Sequence, residues 1–316
     1  MGMQTILGSG GAIGNLLAKE LTAFTSKVRL VARNPTRVNE NDELFPADLL
    51  DASRVSEAVA GSDVVYLTVG LPYDSRVWQR QWPTVMQHVI DACLAHQSRL
   101  VFFDNVYMYD KDSIPHMTEK SRIDPPSRKG KVRAQLVRMI DKAMADHSLR
   151  ALIARSADFY GPDASNGLLN LLVLEDMAKG KKPKWQGDVH KIHSFTYTPD
   201  AAKATAILGN TAGAYGQVWH LPTSAERWTG QQFIETAAAL YGTKPACMLL
   251  RPWMLRFGGL FSRTIAELVE MQYQYNQHYF FDSERFCREF GFTPTTYEAG
   301  MKAVLASRYS DFHQRA

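Results

Sequence analysis

Long apolar runs are missing from this chain. The longest, VVYLTVGL (64–71) and LLNLLVL (168–174), fall far short of the about 20 residues a membrane helix needs, so no membrane partner is expected. Cysteine is scarce. The three present, Cys93, Cys247 and Cys287, are far apart and odd in number. That excludes a disulfide framework and shows no metal-ligand spacing, so no metal site is expected and a reducing compartment is. An excess of one charge is also absent: 36 Lys plus Arg against 32 Asp plus Glu leave a net +4, too little to argue for nucleic acid. There is no internal repeat and no low-complexity segment. The first residues run directly into an apolar stretch with no basic region and leader before it, which sets the expectation of a cytoplasmic protein.

What is present is 316 residues, 45% hydrophobic and 22% charged, enough for a large core in one large domain or two unequal ones. The first half alternates two periodicities. MQTIL (3–7) reads as a strand, and Ile13, Leu16, Leu17, Leu21 and Phe24 then recur at helical spacing. VRLVA (28–32), DVVYLTV (63–69), RLVFF (99–103) and ALIA (151–154) are further strands, continuous enough in apolar residues to be covered on both faces. Helices are expected near 53–60, 76–96 and 131–147. In the last, Val132, Leu136, Met139, Ile140 and Ala143 form a stripe, with Arg133, Arg138, Asp141 and Lys142 facing away. Alternating strands and helices imply an α/β fold of Rossmann type, a doubly wound parallel sheet. Later helices (167–180 and 198–209), a late strand in GQVWHL (216–221) and a mostly helical remainder follow. The expected division is a dinucleotide-binding domain over 1–160, with 189–221 returning to it. The segments 161–188 and 222–316 form a smaller substrate region.

The first strand runs into GSGGAIG (8–14). Glycines at a strand-to-helix junction let the chain turn tightly and let backbone N–H groups approach a pyrophosphate, which the helix dipole favours. Taken alone, the triplet Gly8, Gly11 and Gly14 is also an ordinary glycine turn. At the opening of a βα-alternating chain it points to a dinucleotide. The second strand ends at Arg33, without the acidic residue that holds the ribose hydroxyls of NAD. An arginine there accommodates a 2′-phosphate, so NADP is expected, with NAD as the alternative.

With these residues the chain resembles the extended short-chain dehydrogenase/reductase superfamily, the branch of NAD-dependent epimerases and dehydratases, and looks like an atypical member of it. GSGGAIG matches the glycine motif, ADLLD (47–51) the segment after the third strand, and RSADFYGPD (155–163) the loop after the sixth. GQVWHLPTSAERWTGQQFIETAAALYG (216–242) and FDSERFCREFGFTPTTYEAGM (281–301) match later segments. The resemblance implies cofactor contacts at Gly8, Ser9, Gly10, Gly11, Ala12, Ile13, Gly14, Arg33, Asn34, Asp48, Leu49, Val69, Gly70, Lys131 and Phe159. It also implies an oxidoreductase, epimerase or dehydratase acting on a sugar-like or other carbonyl or alcohol substrate, and a homodimer paired through the helices at 76–96 and 131–147.

The family's catalytic set carries over incompletely. Its Ser/Thr position falls on Asn105, the tyrosine of its Tyr-x-x-x-Lys on Ser127, and the lysine on Lys131. A serine hydroxyl is a far weaker acid than a tyrosine, whose pKa of about 10 can be lowered by a nearby ammonium. Tyr107 is therefore the first substitute acid, with Tyr109, Asp104 and Tyr160 behind it and His193 as a residue facing the substrate. The alternative is a catalytically silent NAD(P)-binding sensor or partner-binding protein. The basic runs at 128–133 and 179–184 read as solvated loops, since neither interleaves aromatics as nucleic-acid modules do. The aromatic-rich stretch 251–275 reads as core before pocket.

Overall fold

The computed structural model describes residues 2–308, in two compact units. The first takes the chain up to Met108, Ile123–Ser156 and Ala201–Leu221; the second takes Tyr109–Arg122, Ala157–Asp200 and the chain from Pro222 on. The returning segment thus begins at Ala201 rather than 189. Residues 189–200 stay with the second unit because the strand Phe195–Tyr197 pairs there with Asp158–Tyr160.

The first unit is built on seven strands: β1 (Met3–Leu7), β2 (Val28–Ala32), β3 (Glu43–Pro46), β4 (Ser62–Leu67), β5 (Arg99–Asp104), β6 (Ala151–Arg155) and a late strand, Val218–His220. Their order is late strand, β6, β5, β4, β1, β2, β3. Every pairing is parallel, with Ile6 set between Leu30 and Tyr66, and Val101 between Tyr66 and Leu152. The chain therefore starts mid-sheet and winds outward in both directions, which gathers the carboxyl ends of the strands at one edge. β4 and β5 are buried along nearly their whole length, as continuous apolar runs require in a sheet covered on both faces.

Five helices of the described residues pack with this sheet: α1 (Ala12–Leu21), α2 (Ala52–Val59), α3 (Ser75–Ala95), α4 (Arg128–His147) and, in the returning segment, Thr198–Asn210. Three start on side-chain caps. Asp51 accepts from the N–H groups of Ser53 and Arg54, Asp74 from those of Arg76 and Val77, and Ser127 from that of Gly130, each satisfying donors that a helix start leaves orphaned. No side chain caps α1, which begins after Gly11. The stripe expected on α4 is present, with one correction. Arg133 does not face away; it is 3% exposed and lies on the buried side with Leu136 and Ile140. An arginine can be buried when its charge is paired and its plane is stacked, and both conditions are met below.

The second unit has its own core, in which Trp185 stacks on Phe233 and Phe233 meets Tyr297 edge-on. The stretch 251–275 departs from the expectation of core. Leu255, Met271 and Tyr275 are buried, but Trp253, Phe257, Leu260 and Phe261 are exposed, Phe261 by 80%. The helix Pro252–Gly259 closes on the next helix, Arg263–Glu270, through its glycines. A Cβ on Gly259 would lie 3.1 Å from the Cα of Ala266. The small residues make that contact, and the large ones are left outside. Among the described residues no helix is long and apolar enough to cross a membrane.

Candidate active site

The glycine turn stands at the carboxyl end of β1. Gly8 has φ +105°, and a Cβ there would fall 2.4 Å from the backbone of Val69, just past β4. Only glycine lets these two segments approach so closely. A Cβ on Gly14 would lie 2.8 Å from the Gly8 carbonyl oxygen, so α1 packs tightly onto the turn. Gly10 (φ +89°) points into open space, with nothing within 4 Å of where a Cβ would be. Beside it, the buried Ser9 hydroxyl has no hydrogen-bond partner. A buried donor is normally satisfied. An open glycine, an orphaned hydroxyl and an uncapped helix start together fit a dinucleotide pyrophosphate. Ala12, Ile13 and Gly14 form the first turn of α1.

The other residues expected on the cofactor side, Phe159 and Lys131 apart, lie on loops that follow β2, β3 and β4. Arg33 and Asn34 directly follow β2 and are exposed. Asp48 and Leu49 follow β3; Asp48 is exposed, its carboxylate accepting from Leu50 N–H at 3.0 Å, and Leu49 is buried. Val69 is half-buried and Gly70 exposed after β4. Phe159 lies in the second unit, half-buried on the strand Asp158–Tyr160.

The catalytic candidates arrange themselves differently from their spacing. Ser127 is buried and committed to capping α4, its Oγ accepting from Gly130 N–H at 3.0 Å. Lys131 is on the exposed side of that helix. The buried side instead carries Lys129, 0% exposed, and Arg133, which are also four apart and so share a face. Arg133 Nε donates to Asp104 Oδ1 at 2.7 Å, and its guanidinium lies over Trp82 and Phe102, 4.7 and 4.8 Å from the ring centroids. Arg155 Nε donates to the other Asp104 oxygen at 3.3 Å. Asp104 is thus a hydrogen-bond acceptor held between two guanidiniums at the end of β5.

Lys129 Nζ stands 4.5 Å from the centroid of the Tyr73 ring. Tyr73 follows Val69 and Gly70 in the loop between β4 and α3, is half-buried, and meets the Tyr107 hydroxyl with its own at 3.5 Å. Tyr107, also half-buried, stacks on Trp78 and is oriented by Asn105, whose Oδ1 accepts from Tyr107 N–H at 3.0 Å. Gly130 brings α4 against this loop: a Cβ there would sit 2.3 Å from the Tyr107 carbonyl oxygen. Tyr109 and Tyr160 are fully buried, and burial pushes the Tyr160 hydroxyl well above the usual range. His193, in the second unit, is packed flat between Tyr275 and Tyr279 and bonded to Asp158 at 2.9 Å, which satisfies it structurally. In the sequence, Lys129 and Arg133 read as part of a solvated basic run and Tyr73 was not singled out; the structure buries the first two. The available signal was that the four-residue spacing fits the pair 129/133 as well as 127/131.

Comparison with known proteins bears on the family and the fold. The family model described as NAD dependent epimerase/dehydratase matches residues 5–220. A 3-diazoavenalumate denitrifying reductase from a Streptomyces species is 24% identical over 264 residues, covering 78% of this chain and 85% of its own. Among solved structures, Pal from Bacillus thuringiensis (16% identical, TM-score 0.78) aligns over 98% of this chain and 99% of its own. UDP-glucose 4-epimerase from Thermus thermophilus, solved with NAD (15%, TM-score 0.75), aligns over 99% and 100%. The one from Thermotoga maritima, solved with UDP-glucose (15%, TM-score 0.78), aligns over 96% and 98%. At such identities the structures speak for the fold. The family match spans more than half of the sequence, and on that ground the chain belongs to the NAD dependent epimerase/dehydratase family, as an oxidoreductase of that type.

Proposed function

We propose that the chain is an NADP-dependent oxidoreductase working at a carbonyl or alcohol carbon of a small sugar-like or related substrate. The observation that carries this is the turn at Gly8–Gly14, where an open Gly10 and an orphaned Ser9 hydroxyl meet an uncapped helix start. When bound, the nicotinamide dinucleotide exchanges a hydride with the substrate carbon. The chain's own residues bind and orient. The turn takes the pyrophosphate, Asp48 and Leu49 flank the adenine side, and Val69 and Gly70 line the path toward the β4–α3 loop. Exposed Arg33 and Asn34 suit a 2′-phosphate. The Streptomyces relative, named as a reductase, favours reduction over epimerisation. Pairing of two copies through α3 and α4 completes the reading; a dimeric mass by light scattering is expected.

The test is a titration of NADPH and NADH by quenching of tryptophan emission. NADPH is expected to bind at least about tenfold more tightly, a difference of about 1.4 kcal/mol. Arg33→Glu should erase the preference, and Gly10→Ala should weaken both cofactors by placing a methyl group in the open cradle. Equal affinities in the wild type would remove NADP from the reading. No binding of either would remove the oxidoreductase. The silent alternative draws on Ser127 being spent on a cap and Arg133 on Asp104. Tight NADPH binding with no turnover of aldehydes, ketones or nucleotide sugars would favour it.

A further inference from the structure

Resting on that oxidoreductase reading, we infer that Tyr73 is the proton-transferring group of this enzyme and that Lys129 is the cation that makes it one. The family's tyrosine and lysine come from one helix, four residues apart. Here the couple is rebuilt from two elements of the first unit. The lysine comes from the buried side of α4 and the tyrosine from the loop between β4 and α3. That loop leaves the glycine turn at Val69, against which Gly8 is packed, and four residues later presents Tyr73.

Three observations combine. Lys129 is fully buried, so its charge acts on its neighbours with little screening by water. Its ammonium lies over the Tyr73 ring, close enough to favour a negative charge spread over that ring and its oxygen. Tyr73 is half-buried, and its hydroxyl has a second one, that of Tyr107, 3.5 Å away as the next proton carrier. Arg133 cannot take Lys129's part, because its guanidinium is tied to Asp104 and stacked on Trp82.

In the reducing direction the substrate's carbonyl carbon accepts a hydride from the reduced nicotinamide dinucleotide, forming a C–H bond. The C=O π pair moves onto oxygen. That oxygen takes the hydroxyl proton of Tyr73, whose O–H bond breaks to leave a tyrosinate facing the Lys129 ammonium. The carbonyl is reduced to an alcohol, the dinucleotide is oxidised, and Tyr73 regains its proton from water through Tyr107. Lys129 acts through Tyr73 and is a positioning residue.

Two measurements test the couple. The first is alkaline titration of the cofactor-free protein, following phenolate absorbance near 295 nm. Burial holds Tyr66, Tyr160, Tyr197, Tyr215 and Tyr297 above the usual tyrosine range, so an early phenolate stands clear of them. One is expected in the wild type, gone in Tyr73→Phe, moved to higher pH in Lys129→Met and kept in Lys129→Arg. The second is NADPH-driven reduction across the carbonyl panel. Tyr73→Phe and Lys129→Met should lower kcat by about 10²–10⁴ with NADPH affinity within threefold, Lys129→Arg should recover most of it, and Tyr107→Phe should cost less. Superimposable titrations of wild type and Tyr73→Phe, or a Tyr73→Phe kcat within threefold of wild type, would overturn the couple. A wild type that binds NADPH yet reduces nothing would overturn the oxidoreductase reading itself, whatever the titration shows.

Discussion

Removing the carboxylate of Asp104 should be among the most damaging single changes in the first unit. Asp104 is 1% exposed at the end of β5, and its two oxygens serve Arg133 and Arg155, themselves 3% and 1% exposed. Asp104→Ala takes this carboxylate away from two buried guanidiniums. Breaking one buried pair from one side costs about 3–5 kcal/mol. Here two cations lose that carboxylate together, which sets the expectation at the upper end. The Phe103 carbonyl and the rings of Trp82 and Phe102 still hold Arg133 and keep the loss from doubling. About 4–5 kcal/mol is on the order of a thousandfold in the folding equilibrium, and about 6–8 °C in Tm for a chain of this size. Urea unfolding followed by tryptophan emission reads it directly, because Trp78, Trp82 and Trp219 all lie in this unit. The loss should be the same in 0.05 and 0.5 M NaCl, since salt screens exposed pairs and hardly reaches buried ones. Replacing all three residues with leucine should restore much of the loss, because the penalty lies in the buried charge. A loss for Asp104→Ala below about 1 kcal/mol, or one that vanishes in high salt, would show that the three residues behave as a surface cluster and refute the reasoning.

Ser127→Ala should cost about 1 kcal/mol of stability through the lost α4 cap and leave turnover unchanged, measured by thermal unfolding and initial rates; Lys131→Ala should change neither. Gly8→Ala should destabilise the fold, because its Cβ meets the Val69 backbone, whereas Gly10→Ala should mainly cost cofactor affinity; urea curves and NADPH titrations separate the two. Burial pushes the Cys93 thiol up to about 12 from the usual 9.0. The unfolded chain therefore releases this proton at lower pH than the folded one, and stability falls as pH rises through that window. Mass spectrometry of iodoacetamide-treated native protein should find Cys247 and Cys287 labelled and Cys93 intact.

The sheet and the glycine turn were legible in the sequence because their causes are local. Apolar runs such as VVYL can only be interior strands, and Gly8, Gly11 and Gly14 follow the first one at once. Which side of α4 turns inward was not legible, for a reason visible in residues 125–133. Four basic residues crowd the start of α4, so two pairs fit the same spacing, 127/131 and 129/133. Which pair turns inward is decided by Tyr73, Trp78, Trp82 and Asp104, which are 25 or more residues away in sequence. Arg133 was placed outside by charge alone, and the partners that let it be buried have no signature near it. Trp253, Phe257 and Phe261 failed in the opposite sense, since hydrophobicity does not say which face a short helix leaves uncovered.

Gly130 carries a consequence for how this site can change. With no side chain, it lets the first turn of α4 rest on the Tyr107 carbonyl, and even a methyl group would have to displace that loop. The helix bearing Lys129 and the loop bearing Tyr107 are geared together like two teeth with no clearance. A chemist wishing to retune this enzyme should leave that contact alone, because any side chain at position 130 moves the helix and the loop together.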